Sequence, residues 1–186
     1  MKKISLLGLL LFSLLAISCE ENDAVKPKEL PVPTEEGKQT FGCKLNGEIW
    51  MPFQRYRSSP NFNSIPSVWG KLDNGQIRFS VTNQNNYESF SFVIPNVKSE
   101  GVYQFQSRFP RKAIEFSPFA SVFQKCVNGN CAQYVICDSC ENSVTITHID
   151  ENNKIFSGTF KVTFLKNGTN ETLSITDGRF DIKGIQ

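Results

Sequence analysis

The chain has 186 residues, with 20 lysines and arginines against 18 acids and a formal net charge of +2. So mild a balance excludes a nucleic-acid partner held by clustered basic residues. A single histidine excludes any metal site with two histidine ligands in one chain. Hydrophobic residues make up 39% of the chain, with sixteen phenylalanines, enough to fill the core of one domain of ordinary size.

Lys2 and Lys3 precede an uncharged run from Ile4 to Ile17. As a helix that run would be roughly 21 Å long, short of a hydrocarbon core about 30 Å thick. A basic start, a short apolar middle and a small residue, Ser18, describe a secretory signal over residues 1–18. Cys19 follows directly. The stretch LLAISC, Leu14 to Cys19, resembles the lipobox of bacterial lipoproteins. In that family the cysteine sulfur receives a diacylglyceryl group, the chain is cut before it, and the new amino terminus is acylated. Ala16 and Ile17 depart from the usual residues of the box, and a plain cleaved signal with a coincidental cysteine is the alternative. The resemblance implies lipidation of Cys19 and a lasting membrane attachment, because two or more acyl chains anchor stably where one does not. The acids Glu20, Glu21 and Asp23 resemble the surface-export signals of Bacteroidota lipoproteins. They point to the outer membrane, with surface display favoured over the periplasmic face.

Removal of residues 1–18 leaves equal numbers of basic and acidic side chains. Residues 19–39 hold three prolines, six acids and three lysines, with no apolar period to bury. They are expected to form a flexible, disordered tether. The basic knots Arg55–Tyr56–Arg57 and Arg108–Lys112 read as solvated loop charge.

From Thr40 the pattern alternates. Phe41, Cys43 and Leu45 share a parity, and Asn46–Gly47 suits a type I′ hairpin turn leading into Ile49–Met51. Val68–Leu72, the turn Asp73-Asn74-Gly75, and Ile77, Phe79 and Val81 repeat the logic. Phe90, Phe92 and Ile94 alternate up to Pro95, and Val102–Phe105 makes a short strand. Near the end, Phe156, Phe160, Val162 and Phe164 point one way. The chain turns at KNGTNE, Leu173 and Ile175 return, Asp177–Gly178 bends the chain, and Phe180 and Ile182 finish it. Strict period two marks half-buried antiparallel strands. The fold class is therefore all-β: about ten strands in a single antiparallel β-sandwich or partly closed barrel-like domain over residues 40–186.

Beyond Cys19 the cysteines are Cys43, Cys126, Cys131, Cys137 and Cys140. Exported chains meet oxidising conditions in which disulfides persist. CVNGNC encloses a tight turn, so Cys126 and Cys131 suit a bridge across a hairpin. Cys137 and Cys140 close a second loop, or one of them reaches Cys43, and one of the five thiols stays over. A four-thiolate zinc site from Cys126, Cys131, Cys137 and Cys140 is the metal alternative, although five residues between its middle ligands is a short spacing. Thiol exchange through Cys137-Asp138-Ser139-Cys140 would need a helix start to lower a thiol pKa, and the surroundings read as a turn.

His148 lies in the strand-like SVTITHID and is the only base available to a catalytic triad. No Gly-x-Ser-x-Gly elbow accompanies it. Glu48, Glu88, Glu115, Asp150 and Asp177 are candidate carboxylates for glycoside chemistry, most of them expected at solvated turns or edges. Arg179 and Asp181 share a parity and are expected to pair across an exposed face. Trp50, Tyr56 and Trp69, in or near the Pro- and Ser-rich stretch from Met51 to Trp69, are the candidate ligand-binding aromatics, with core packing the favoured reading of both tryptophans.

The stretches TFGCKLNGEIWMP (Thr40–Pro52) and FSGTFKVTF with LSITDGRFDIK (Phe156–Lys183) resemble the opening and closing motifs of a family of small Bacteroidota lipoproteins of unknown function. The resemblance implies a lipid-anchored, mostly β domain and carries over no catalytic residue. The expected function is a non-catalytic binding or structural role in the envelope, without a cofactor. Expected partners are the membrane, through the lipid, and a carbohydrate or an envelope protein. The alternative is an exported hydrolase or thiol-redox enzyme using Cys137 and Cys140 or His148.

Overall fold

The computed structural model describes residues 29–54, 67–107 and 120–185. Cys19, Tyr56, Glu115 and the two basic knots at 55–57 and 108–112 lie outside the described residues. Those described form eleven strands and no helix. They are β1 (Thr40–Leu45), β2 (Glu48–Trp50), β3 (Val68–Asp73), β4 (Gln76–Asn83), β5 (Glu88–Ile94) and β6 (Gly101–Tyr103). β7 (Val122–Val127), β8 (Asn130–Ile136), β9 (Asn142–Asp150), β10 (Ile155–Lys166) and β11 (Thr172–Lys183) follow.

All strand ladders are antiparallel, in the order β2-β1-β11-β10-β8-β7-β5-β4-β3. The sheet forks at β10. One edge of β10 pairs with β11. Along its other edge the first part pairs with β9 and the last three residues with β8, and β6 adds to β9. No ladder joins β2 to β3, so the sheet is open, yet its margins approach each other. Phe53 makes an isolated parallel bridge to Asn83, and the Ile185 N–H donates to the Gly70 carbonyl at 2.9 Å. The expected all-β, barrel-like domain is what forms.

Local chemistry sets the turns. Asn46–Gly47, Asn74–Gly75 and Asn128–Gly129 all have positive φ at both residues, the geometry of a type I′ turn and the reason Asn-Gly suits it. Two longer turns follow another rule. Asn83 Oδ1 accepts the N–H groups of Asn85 and Asn86, and Asp150 Oδ1 those of Asn152 and Asn153. Each such turn closes on a residue of positive φ, Tyr87 or Lys154.

Alternation directs ten of the sixteen phenylalanines into the core. Phe90 meets Phe123 at 4.6 Å between ring centroids, and Phe79 meets Phe92 at 4.9 Å, within the range where aromatic pairs add to area burial. Glycines make room for two of these rings. A Cβ on Gly178 would lie 2.5 Å from the Phe160 ring, and one on Gly158 would lie 2.9 Å from the Phe180 ring and 2.2 Å from the Thr145 carbonyl oxygen.

The bend expected at Asp177–Gly178 lies within one strand, and two other expectations need correction. β11 runs through the bend, with Asp177 at φ 51° and a register shift between Phe160 and Val162 on β10: a bulge absorbs the bend while the ladder continues. Arg179 and Asp181 do not pair on an exposed face. Arg179 donates to the Pro31 carbonyl, and Asp181 is 1% exposed. Nor is the whole of 19–39 a loose tether. Residues 29–39 form a strap along the outer wall, with Pro31 against Gly42.

Asp181 holds that strap. Its carboxylate accepts hydrogen bonds from Thr34 Oγ1 at 2.6 Å, from the Glu36, Gly37 and Lys38 N–H groups, and from Ser157 Oγ at 2.7 Å. Burial opposes ionisation of Asp181, but the bonds from Thr34, Lys38, Ser157 and Gly37 outweigh it and lower its pKa.

Asp181→Asn keeps the shape but turns a donor toward these donors. It should destabilise the domain by at least about 2 kcal/mol in urea unfolding at neutral pH. Because the folded-state pKa is depressed, the contribution of Asp181 is fully present above the unfolded value of about 3.9 and fades as pH falls through the folded value. The variant should therefore lie closest to the parent in stability under strongly acidic conditions; a constant gap across that range would rule out the carboxylate as its source.

Candidate functional site

A cavity of about 820 Å³ opens at one mouth of the barrel-like sheet, within the ordinary range of small-ligand sites. Its walls come from the β1–β2 hairpin, the segment Met51–Phe53, the β4–β5 turn, Lys125 of β7, and Glu171 and Leu173 at the start of β11.

Glu88 sits at its inner end. It has the parity of Phe90, Phe92 and Ile94, so alternation drives it inward, and it is 4% exposed. Its Oε2 accepts the Trp50 indole N–H at 2.7 Å, and its Oε1 lies 2.9 Å from Lys125 Nζ. Lys125 is the residue directly opposite Glu88 in the β5–β7 ladder, the position from which cross-strand charges interact best. Trp50 faces inward opposite Cys43 and packs edge-on against Phe41 and Phe90. Burying a carboxylate is costly unless it is paired and hydrogen-bonded; here it is both. Asn86 Nδ2 stands 3.5 Å from Oε2.

A second charged group flanks the mouth. Glu171 accepts from Tyr134 Oη at 2.8 Å and from Lys166 Nζ at 2.7 Å. The bonds from Lys166 and Tyr134 lower the Glu171 pKa. Burial, then the Glu171 carboxylate, raises that of Tyr134. Among the described residues the lining contains no serine, cysteine or histidine. The described part of the mouth thus offers donors, acceptors and apolar surface.

The residues singled out from sequence do not converge. Trp50 is at the mouth, but its ring is 4% exposed and its N–H is engaged by Glu88. Trp69 lies on the opposite face of β3 from the inward Val68 and Leu72, so the two tryptophans form no shared platform. Phe53, 38% exposed, is the open aromatic ring of the lining. Glu48 stands exposed at the rim and Glu88 is buried, whereas Asp150 caps a turn and Asp177 pairs with Lys44 at 2.8 Å. His148 lies on β9 with Nδ1 3.9 Å from Glu100 Oε1 and is not part of the lining.

The cysteines form two bridges, Cys126–Cys131 and Cys137–Cys140. Cys126 and Cys131 are ladder partners at the β7–β8 hairpin, and the Cys126 N–H goes to the Tyr87 carbonyl instead of across the pair. With all four sulfurs paired, no four-thiolate set remains for zinc. Cys137–Cys140 joins the end of β8 to the turn before β9, without the helix start that thiol exchange calls for. Among the described residues Cys43 is the free cysteine, fully buried, and burial pushes its thiol pKa far up, so it stays protonated and unreactive.

Glu88→Ala would strand the buried Trp50 N–H and remove the partner of the half-exposed Lys125. A loss of about 3 kcal/mol is expected in chemical denaturation, with a change in tryptophan emission. Intact mass should rise by four hydrogens on reduction of the unfolded chain; an unchanged mass would mean that the two bridges do not form.

No curated protein and no solved structure is significantly similar to this chain. A family profile described as a domain of unknown function, DUF6252, matches residues 68–181. That span includes β3 to β10 and nearly all of β11, with Glu88, Lys125, both disulfides and Asp181. It covers well over half of the chain, which therefore belongs to the DUF6252 family.

Proposed function

We propose that this protein is an outer-membrane lipoprotein, attached through an acylated Cys19, whose β domain binds a small envelope or extracellular ligand at the mouth beside Glu88 and does not transform it. The observation that carries the binding reading is the cavity itself. It has a fixed inner end, where Glu88, Trp50 and Lys125 are locked together, and a rim of amides and one open aromatic ring. Preformed, partly apolar clefts with a few convergent polar groups are the usual form of a small-molecule site. The leader, the LLAISC stretch and the acids behind Cys19 support the anchored location.

The strap adds a geometric consequence. The chain between Cys19 and the first strap residue, Glu29, spans at most about 35 Å when fully extended, so the domain would stay close to the bilayer. Surface display is the orientation proposed.

Cys19→Ser should abolish incorporation of labelled palmitate and shift the protein from the membrane to the soluble fraction. Protease added to whole cells should degrade the domain in the parent strain. Lipid on the parent together with full protection from protease would keep the anchor and reverse the leaflet.

A further inference from the structure

Resting on the reading of the mouth as a binding site, we propose that its ligand is an uncharged sugar ring that presents a vicinal diol to the Glu88–Lys125 pair. At the inner end a carboxylate oxygen and an ammonium nitrogen stand 2.9 Å apart. A carboxylate only accepts hydrogen bonds and an ammonium only donates them. A hydroxyl does both, so two neighbouring hydroxyls satisfy the pair together: one donates to Glu88, and the other accepts from Lys125. A Lys125 side chain that is 47% exposed leaves its remaining N–H donors within reach of the cavity. Glu88 has accepted one strong bond on each oxygen, and a carboxylate has about four acceptor sites.

Charge decides against other classes of ligand. The lining carries Glu48, Glu88 and Glu171 against Lys125, and Lys166 pairs with Glu171 from beside it. An anion would still meet more carboxylates than ammonium groups. A cation would have to reach Glu88 past Lys125, directly across the ladder. A neutral ligand meets neither obstacle. Phe53 supplies an exposed ring for the C–H face of a sugar, a surface that aromatic side chains provide at low entropic cost. The amide of Asn86, beside Glu88, adds a further donor and acceptor.

The chain supplies its own reporter. It has two tryptophans, one hydrogen-bonded to Glu88 at the mouth and one on the outer face of β3. In a nitrogen–proton correlation spectrum of the folded protein, the two indole N–H signals can be assigned by replacing Trp69 with Phe. Millimolar maltotriose, cellotriose and mannotriose are titrated separately, with trigalacturonate as the anionic probe and trilysine as the cationic one. At least one neutral trisaccharide should move the Trp50 indole signal and leave that of Trp69 in place. Trigalacturonate and trilysine should not move it. Lys125→Ala should weaken the active sugar about tenfold, a change worth about 1.4 kcal/mol. A Trp50 response to trigalacturonate or trilysine as strong as to any neutral sugar overturns the assignment of ligand class while leaving the mouth as the site. Silence of Trp50 toward all three neutral sugars also overturns that assignment. Saccharide shifts that spare Trp50 and persist unchanged in Lys125→Ala overturn both the ligand class and the site.

Discussion

The pairing of β10 with β11 is the constraint on which the rest of the molecule hangs. These are the two longest strands, twelve residues each. β11 gives its free edge to β1, and through it to β2. β10 gives its other edge to β9 and then to β8, and through β8 to β7, β5, β4 and β3. Both arms of the sheet therefore take their register from one ladder. The bulge at Asp177 sets the local curvature of that ladder, and Gly178 lets the Phe160 ring lie on the opposite strand. The period of a strand is two, so a slip of one residue anywhere in this ladder would turn a whole set of phenylalanines outward. The side chains that meet between the arms, Phe41 with Phe90 and Phe92 for instance, can do so only if both arms keep that register.

The mouth exists because the two arms meet there. Trp50 belongs to the β1–β2 arm, and Glu88 and Lys125 to the β5–β7 arm, and the indole–carboxylate hydrogen bond joins them inside the Phe53–Asn83 bridge. This bond does something the surrounding phenylalanines cannot. Ring packing is tolerant of small shifts, whereas an indole N–H and a buried carboxylate match at one position only. A one-residue slip of β5 would place Ser89 inward and send Glu88 to solvent, leaving Trp50 without an acceptor. A buried polar contact of this kind specifies register at some cost in stability. In this fold it also fixes the inner end of the cavity.

Much of the fold was legible because alternation and Asn-Gly turns are local signals. Phe79, Phe90, Phe92, Phe156 and Phe164 occupy the inward positions that their spacing requires, and Asn128–Gly129 sits in the turn between Cys126 and Cys131. The candidate site was less legible, for two different reasons. Glu88 carried a usable signal, since it shares the parity of Phe90, but a charged residue beside the Asn-rich turn reads as solvent-facing when no partner is in view. Its partners, Trp50 and Lys125, lie 38 and 37 residues away. Asp181 carried no such signal. It alternates outward as a surface residue should, and it is buried because a segment 143 to 147 residues earlier covers it. Composition made that segment look like a linker. Low apolar content measures how little surface a stretch can bury; it says nothing of backbone N–H groups converging on a carboxylate.

The strap and the mouth are built so that neither intrudes on the other. β1 starts at Thr40, paired with Asp181 under the strap, and ends at Leu45, in the wall of the cavity. At about 3.4 Å per residue the strand separates its two ends by some 17 Å. No residue from 29 to 39 lines the mouth. Tension on the strap would act first on the Asp181 hydrogen bonds and on the β1–β11 ladder, both held by pairings that leave Glu88 and Lys125 untouched. The mouth is lined by the far end of β1 and the turn before β5, and by no part of the clasp. On the proposed function, residues 29–39 would give the sheet its point of attachment and leave the opening free; β11, carrying the clasp at Asp181 and the cavity wall at Leu173, is the strand common to both.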